Sequence, residues 1–345
     1  MEHDPAVFII ILHYNRLDDT LECLESVYKN NYTNYKVVVV NNVPSDDPVN
    51  IVRERYPEAI TINNKKNLGF TGGNNVGIRY AIENGADYVW LLNNDTEIGE
   101  DCLRKMVEKA ESSGSIAVVS PAVHYFEDPE RIQFSGCCMD WHQFRLLYPD
   151  LKKPIDAKFV CGENTCLWGT ALLIKAGVIK KIGLLTEDFF AYWEGIEYSL
   201  RVIKNGMRNV VCDVARIYHK RQSPMVSGEK GLHYYYFMNR NFLLLGDRYI
   251  RGKIRRLRFK IRGLAEASDH VGNHRRSDII DASLDGTWHG LRNFRGPLVI
   301  NDGMPKSLKN ILKAISGCHP VFISDVITFN FRQISSKIYN KYRSD

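Results

Sequence analysis

Two apolar runs, residues 7–12 and 35–40, most narrow what this chain can fold into. Each is continuous, rich in Ile or Val and followed by polar turn residues, the pattern of a strand buried on both faces of a parallel sheet. Between them Leu17, Leu21, Leu24 and Val27 recur at helical spacing. Asp18 and Asp19 fall in the first turn, where the helix dipole favours acids. The chain therefore opens β-α-β.

The alternation continues with a helix over 48–56, a strand over 59–62, a helix over 75–84 and a strand over 88–92. An open, mostly parallel sheet with helices on both faces follows. From about residue 127 the pattern is mixed, with short strands near Ile132, over 165–174 and over 210–214. A helix over 196–205 is closed by Gly206. Beyond Tyr234 the sequence turns aromatic, then basic, then helical. A chain of 345 residues, 44% hydrophobic, can bury one α/β core and still carry a smaller appended region.

A dinucleotide-binding sheet needs a glycine-rich turn after its first strand. Here that turn reads Leu12-His13-Tyr14-Asn15-Arg16, and no phosphate-cradling glycine loop occurs elsewhere. A nucleotide site at the carboxyl ends of the strands must be built differently. The eight cysteines include no C-x-x-C pair, so neither a zinc site nor a disulfide framework is expected. They read as reduced thiols of a cytoplasmic protein. No secretory leader is expected, and no apolar run approaches the roughly 18 residues that cross a bilayer.

The net charge of +6 is concentrated, since residues 248–262 hold eight Lys or Arg. Ile250, Ile254, Leu257, Ile261 and Leu264 recur among them at spacings of three and four. This is a basic amphipathic helix over 248–264, suited to peripheral contact with an anionic membrane, or to packing as a solvated helix. No nucleic-acid motif accompanies the charge, so nucleic acid is not an expected partner.

Leu91-Leu92-Asn93-Asn94-Asp95-Thr96 ends a strand with a carboxylate, which can hold a divalent cation against a diphosphate or serve as an ordinary turn residue. The segment resembles the short acidic motif of GT-A glycosyltransferases, in the form found in rhamnosyltransferase-like members of glycosyltransferase family 2. Residues 11–16 and 21–26 are similar to that family's first strand and helix. Residues 67–77, with Asn67, Gly69, Gly73 and Asn74, resemble its glycine- and asparagine-rich loop before the third helix. Residues 189–194, with Arg201 and Gly206, resemble its catalytic helix region.

The resemblance covers about residues 7–245. It implies a GT-A type open mixed α/β sheet flanked by helices, with a helical C-terminal extension. The implied domains are 1–245, divided into a nucleotide-binding half (1–125) and an acceptor half (126–245), followed by 246–345. It further implies an inverting transfer from a nucleoside-diphosphate sugar to a glycan or lipid-linked acceptor in cell-surface polysaccharide synthesis. Asp95 and His219 are the implied ligands of Mn²⁺ or Mg²⁺, and His13, Asn15, Asn41, Asn42, Asn67, Gly69, Gly73, Asn74 and Asn94 line the donor.

The chain departs from the family twice. Asn41-Asn42 replaces an Asp-Asn pair, although an Asn carbonyl can still accept from the N3–H of uracil or thymine, as in a UDP- or dTDP-linked donor. Glu194-Gly195 replaces a Glu-Asp pair whose Asp is the usual general base, which leaves Glu194 or Glu197 for that role. The rival expectation is a noncatalytic sugar-nucleotide or glycan-binding module.

Overall fold

A computed structural model of the chain describes residues 4–149, 162–220, 231–273, 276–298 and 302–316. The chain forms two compact units, Met1–Glu229 and Lys230–Asp345.

The first unit runs β1 (Val7–His13), α1 (Leu17–Tyr28), β2 (Tyr35–Asn41), α2 (Asp47–Arg55), β3 (Ile60–Asn63), α3 (Gly69–Glu83), β4 (Tyr88–Asn93), β5 (Thr96–Ile98), α4 (Cys102–Glu111), β6 (Ile116–Tyr125) and β7 (Ile132–Phe134). It continues through β8 (Cys137–Asp140), β9 (Arg145–Leu147), β10 (Thr165–Cys166), β11 (Ala171–Lys175), α5 (Ala176–Ile182), α6 (Glu194–Lys204) and β12 (Arg208–His219). The main sheet has the order β3-β2-β1-β4-β11-β6-β12-β5, with β7 on β6, and β10-β8-β9 form a small second sheet.

β1 pairs in parallel with β2 and β4, placing Ile10 beside Val38 and Leu91. β11 runs antiparallel to both β4 and β6, so the sheet is mixed, as the family resemblance implies. Strand order reverses between β1 and β4, and the carboxyl ends of those strands flank the crevice where ligands of open α/β sheets bind.

The third helix begins at Gly69 instead of Asn75, so the expected glycine-rich loop is its first two turns. Gly73 and Gly77 face the sheet: a Cβ at either position would lie 2.5 Å from a side-chain carbon of Leu12 or Ile10. Packing overrides the poor helix propensity of glycine, because only residues without side chains let α3 sit this close to β1. β12 is also longer than expected, twelve residues with a bulge between Cys212 and Arg216, and it carries the chain to His219.

Cys23, Cys102, Cys137, Cys166 and Cys212 are buried free thiols. Cys138 is disulfide-bonded, which corrects the expectation of a wholly reduced set.

The second unit contains α7 (Leu232–Tyr249), α8 (Lys253–Asn273), α9 (Ser277–Leu291) and α10 (Lys306–Ser316). The expected boundary lay at 245/246, but α7 belongs to this unit and packs on α9. Buried Arg240 donates to the Gly296 carbonyl at 2.6 Å, and His289 joins the Tyr236 hydroxyl and the Asp302 carbonyl, each at 2.6 Å. Residues 317–345 of the expected extension lie outside the described residues.

The basic stripe does not form one apolar face. Ile250 is buried ahead of α8, Phe259 packs on Phe242 with ring centroids 4.7 Å apart, and Ile254 and Leu257 are 66% and 49% exposed. Among the described residues no helix is long and apolar enough to cross a membrane.

Candidate active site

The strand-end carboxylate is placed by backbone bonds. Asn93 N–H, at the end of β4, donates to the Thr170 carbonyl at 2.9 Å, and Thr96 Oγ1 donates to the Asn93 carbonyl at 2.6 Å. The half-buried Asn94 donates to Thr20 Oγ1 at 2.9 Å, tying the turn to α1. β12 returns antiparallel to β5 and sets His219 opposite Thr96. Lys220 N–H then donates to the Asp95 carbonyl at 2.9 Å.

His219 Nε2 lies 3.3 Å from Asp95 Oδ1, both side chains being largely buried, and its Nδ1 lies 2.8 Å from Gln133 Oε1 on β7. These groups fit a divalent cation, for a carboxylate oxygen and an imidazole nitrogen converge while the far ring nitrogen is held by a polar neighbour. No cluster of three or more His, Cys, Asp or Glu suited to a metal occurs among the described residues. A two-residue protein set suits an ion that also takes oxygens from a diphosphate and water.

Most of the expected donor residues have internal partners. Asn42, deeply buried, donates to Asn67 Oδ1 (2.9 Å) and the Gly69 carbonyl (3.1 Å) and accepts from Asn64 Nδ2 (3.1 Å) and Leu68 N–H (3.0 Å). Asn41 donates to the Ser45 carbonyl (2.6 Å) and Asn63 Oδ1 (3.0 Å) and accepts from Val43 N–H (3.1 Å). Both amide hydrogens of Asn41 are thus committed, while its Oδ1, the atom expected to accept from a nucleobase, takes one bond from Val43 N–H. Buried Asn74 donates to the Phe70 carbonyl at 2.9 Å, and Gly73 lies against Leu12. His13 contacts Thr20 Oγ1 at 2.8 Å, and burial lowers its pKa, favouring the neutral ring. Gly69, at φ 73°, has the Phe190 carbonyl where a Cβ would stand. Asn15 alone of the set is exposed; Asn67 and Asn94 are half-buried.

The start of α6 forms the other side. Phe190, Tyr192 and Trp193 all adopt positive φ (63°, 65°, 69°), strain of a kind that concentrates at functional sites. The Phe190 carbonyl accepts from Thr71 N–H at 3.1 Å, joining this loop to α3.

Glu194 is 8% exposed and its Oε2 has no hydrogen-bond partner among the described residues. Burial pushes its pKa up to about 7, opposed by bonds from the backbone N–H groups of Glu194, Gly195 and Tyr192. Gly195 leaves no room for an acid: a Cβ there would stand 2.5 Å from Gly169 N and 2.7 Å from the Leu167 carbonyl. Glu197 is fully buried but committed, accepting from Thr186 Oγ1 and Arg201 Nε, each at 3.0 Å. Arg201 in turn donates to the Ile182 and Leu184 carbonyls at 2.8 and 2.7 Å.

The two sides meet through the segment before β11. Thr170 is bonded to Asn93, while Gly169 lies directly against the Glu194 carboxylate. Trp168 stacks on Phe134 with ring centroids 4.0 Å apart. Gln133, Trp168 and Gly169 were not legible as site residues, since nothing in their local patterns separates them from ordinary strand and turn positions.

The glycosyl transferase family 2 model matches residues 8–183. The chain is 24% identical over 254 residues to galactofuranosyltransferase GlfT1 of Mycobacterium tuberculosis, covering 69% of this chain and 82% of that protein. It is 24% identical over 308 residues to the low-salt glycan biosynthesis hexosyltransferase Agl10 of Haloferax volcanii, covering 84% and 92%. The mannosyltransferase PcManGT of Pyrobaculum calidifontis, solved with GDP-Man and Mn²⁺, superposes with a TM-score of 0.54 at 14% identity, covering 94% of this chain and 87% of that one. With a match that spans just over half its length, and a carboxylate site at the switch point of a GT-A sheet, the chain belongs to glycosyl transferase family 2 and is a glycosyltransferase.

Proposed function

We propose that the chain transfers a sugar with inversion from a UDP- or dTDP-linked donor to a hydroxyl of a glycan or lipid-linked acceptor, in cell-surface polysaccharide synthesis. The observation that carries this reading is Glu194, a buried carboxyl with an unpartnered oxygen and a pKa near 7, packed against Gly169 in the segment that Thr170 ties to the end of β4. A base with that pKa is half ionised at neutral pH and can take the acceptor proton as the hydroxyl oxygen attacks the anomeric carbon. Gly195 stands at the family's usual base position; crowding by Gly169 explains the glycine, and Glu194 supplies the carboxylate.

Asp95 and His219 would hold Mn²⁺ or Mg²⁺, which when bound offsets negative charge on the departing diphosphate. Glu97 and Glu22 both pair with Lys220, keeping that ammonium beside the Asp95 turn. Trp168 precedes Gly169, which lies against the proposed base, and its half-buried ring is of the kind on which a sugar face can pack. On α8, exposed Ile254 and Leu257 among Lys253, Arg255 and Arg258, with Arg251 just before the helix, suit peripheral contact with anionic lipid at the cytoplasmic face.

The test is a thermal-shift panel of nucleoside diphosphates and their sugars with and without Mn²⁺, followed by donor hydrolysis with each hit. Metal-dependent stabilisation by uridine or thymidine diphosphate, and slow release of diphosphate, are expected. Stabilisation by guanosine diphosphate alone would reassign the donor.

A further inference from the structure

We infer that Gln133 is a positioning residue of this site, holding His219 with its proton on Nδ1 so that Nε2 faces Asp95. The inference rests on the proposed role of Asp95 and His219 as cation ligands.

β7 and β12 flank β6, with Ile132 beside His124 and His219 beside Tyr125, so Gln133 reaches a histidine 86 residues further along the chain. The 2.8 Å contact is made by the carbonyl oxygen of Gln133, which can only accept. The nitrogen it touches must carry a hydrogen. In the neutral ring that leaves the Nε2 lone pair 3.3 Å from Asp95 Oδ1, two acceptors converging on one point.

The opposite tautomer would place a hydrogen on Nε2 and donate it to the Asp95 carboxylate. That charge-assisted bond is the stronger one available to an unassisted histidine, and it closes the position between the two ligands. Gln133 tips the balance toward the open arrangement. As a neutral amide it does so without adding a second negative charge beside Asp95.

The full chain labelled with ¹⁵N-histidine, free of metal and at alkaline pH, reports the tautomer directly in two-bond ¹H–¹⁵N spectra, with His219 assigned from His219→Asn. The wild type should carry the proton on Nδ1. Gln133→Met, which keeps length and removes the acceptor, should move it to Nε2, and Gln133→Glu, which restores an acceptor oxygen, should return it. Titration with Mn²⁺ alone, followed by electron paramagnetic resonance, should show affinity about 10–100-fold weaker in the Met variant.

A wild-type proton on Nε2 overturns the proposal even where the Met variant fails to fold. So does a folded Met variant with unchanged tautomer and Mn²⁺ affinity. A wild type that carries the proton on Nδ1 but binds no Mn²⁺ would instead overturn the cation role on which the inference rests.

Discussion

At the β4–β5 turn, Asp95 meets a histidine that is itself held by Gln133; at the start of α6, Glu194 is buried with one oxygen that meets no hydrogen-bond donor. The first carboxylate is given a partner through which a cation can be shared. The second is buried with one oxygen unpartnered, and burial raises its pKa to about 7, the value that suits the proposed base. Glu197, one turn along the same helix, shows the third outcome: with Thr186 and Arg201 as donors it is spent on structure. What a buried carboxylate does here is set by the donors the fold delivers to it.

The most severe way to break this contrast is Glu194→Gln. It should lower turnover by about 10²–10⁴-fold while leaving nucleotide affinity unchanged. Glu197→Gln should leave turnover within a few-fold and instead lower stability by about 1–3 kcal/mol, because the Arg201 guanidinium loses its charged partner. Steady-state kinetics and chemical denaturation of both variants decide this, and a reversed pattern would exchange the roles of the two residues.

Restoring the family's acid by Gly195→Asp should not rescue Glu194→Gln. The new side chain would collide with the Gly169 backbone, costing about 3 kcal/mol or more, visible as a lowered denaturation midpoint. A stable, active double variant would show that the close approach of α6 to residues 167–169 relaxes.

pH sharpens the same contrast. Burial raises the Glu194 pKa from 4.5 to about 7, so the folded state binds that proton more tightly than the unfolded chain does. Its contribution to stability is present below about pH 4.5 and is lost as pH rises through about 7, by an amount on the order of 3 kcal/mol. Glu194→Gln should remove this dependence and be more stable than wild type in mild alkali. The acid limb of kcat/KM should rise through about pH 7 in the wild type, as expected of a base that must be ionised.

The smallest effect concerns α8, which lies outside the contrast and serves as its control. Ile254→Glu should reduce sedimentation with anionic vesicles while leaving turnover on a soluble acceptor unchanged. Equal pelleting of wild type with neutral vesicles would remove the charge-based lipid contact.

Local periodicity was enough to read β1, α1, β2 and β4, because a buried parallel strand and its crossover helix write their burial into consecutive residues. The position of Asp95 followed, since a strand end can be read where an apolar run stops. The helical start at Gly69 was hidden, because glycine is a poor helix former and its reason for being there is contact with Leu12 and Ile10 on another element. Likewise the network that the amides of Asn41 and Asn42 close was hidden, because only the meeting of β2, β3 and α3 creates it.

What the sequence determined by itself was the sheet's parallel half, the family and the acid that ends β4. The tertiary structure alone gave Glu194 and Glu197 their different surroundings, explained Gly195 through Gly169, and brought Gln133 to His219. Each of those outcomes depends on one residue's distance to another far along the chain, and no local pattern records such a distance.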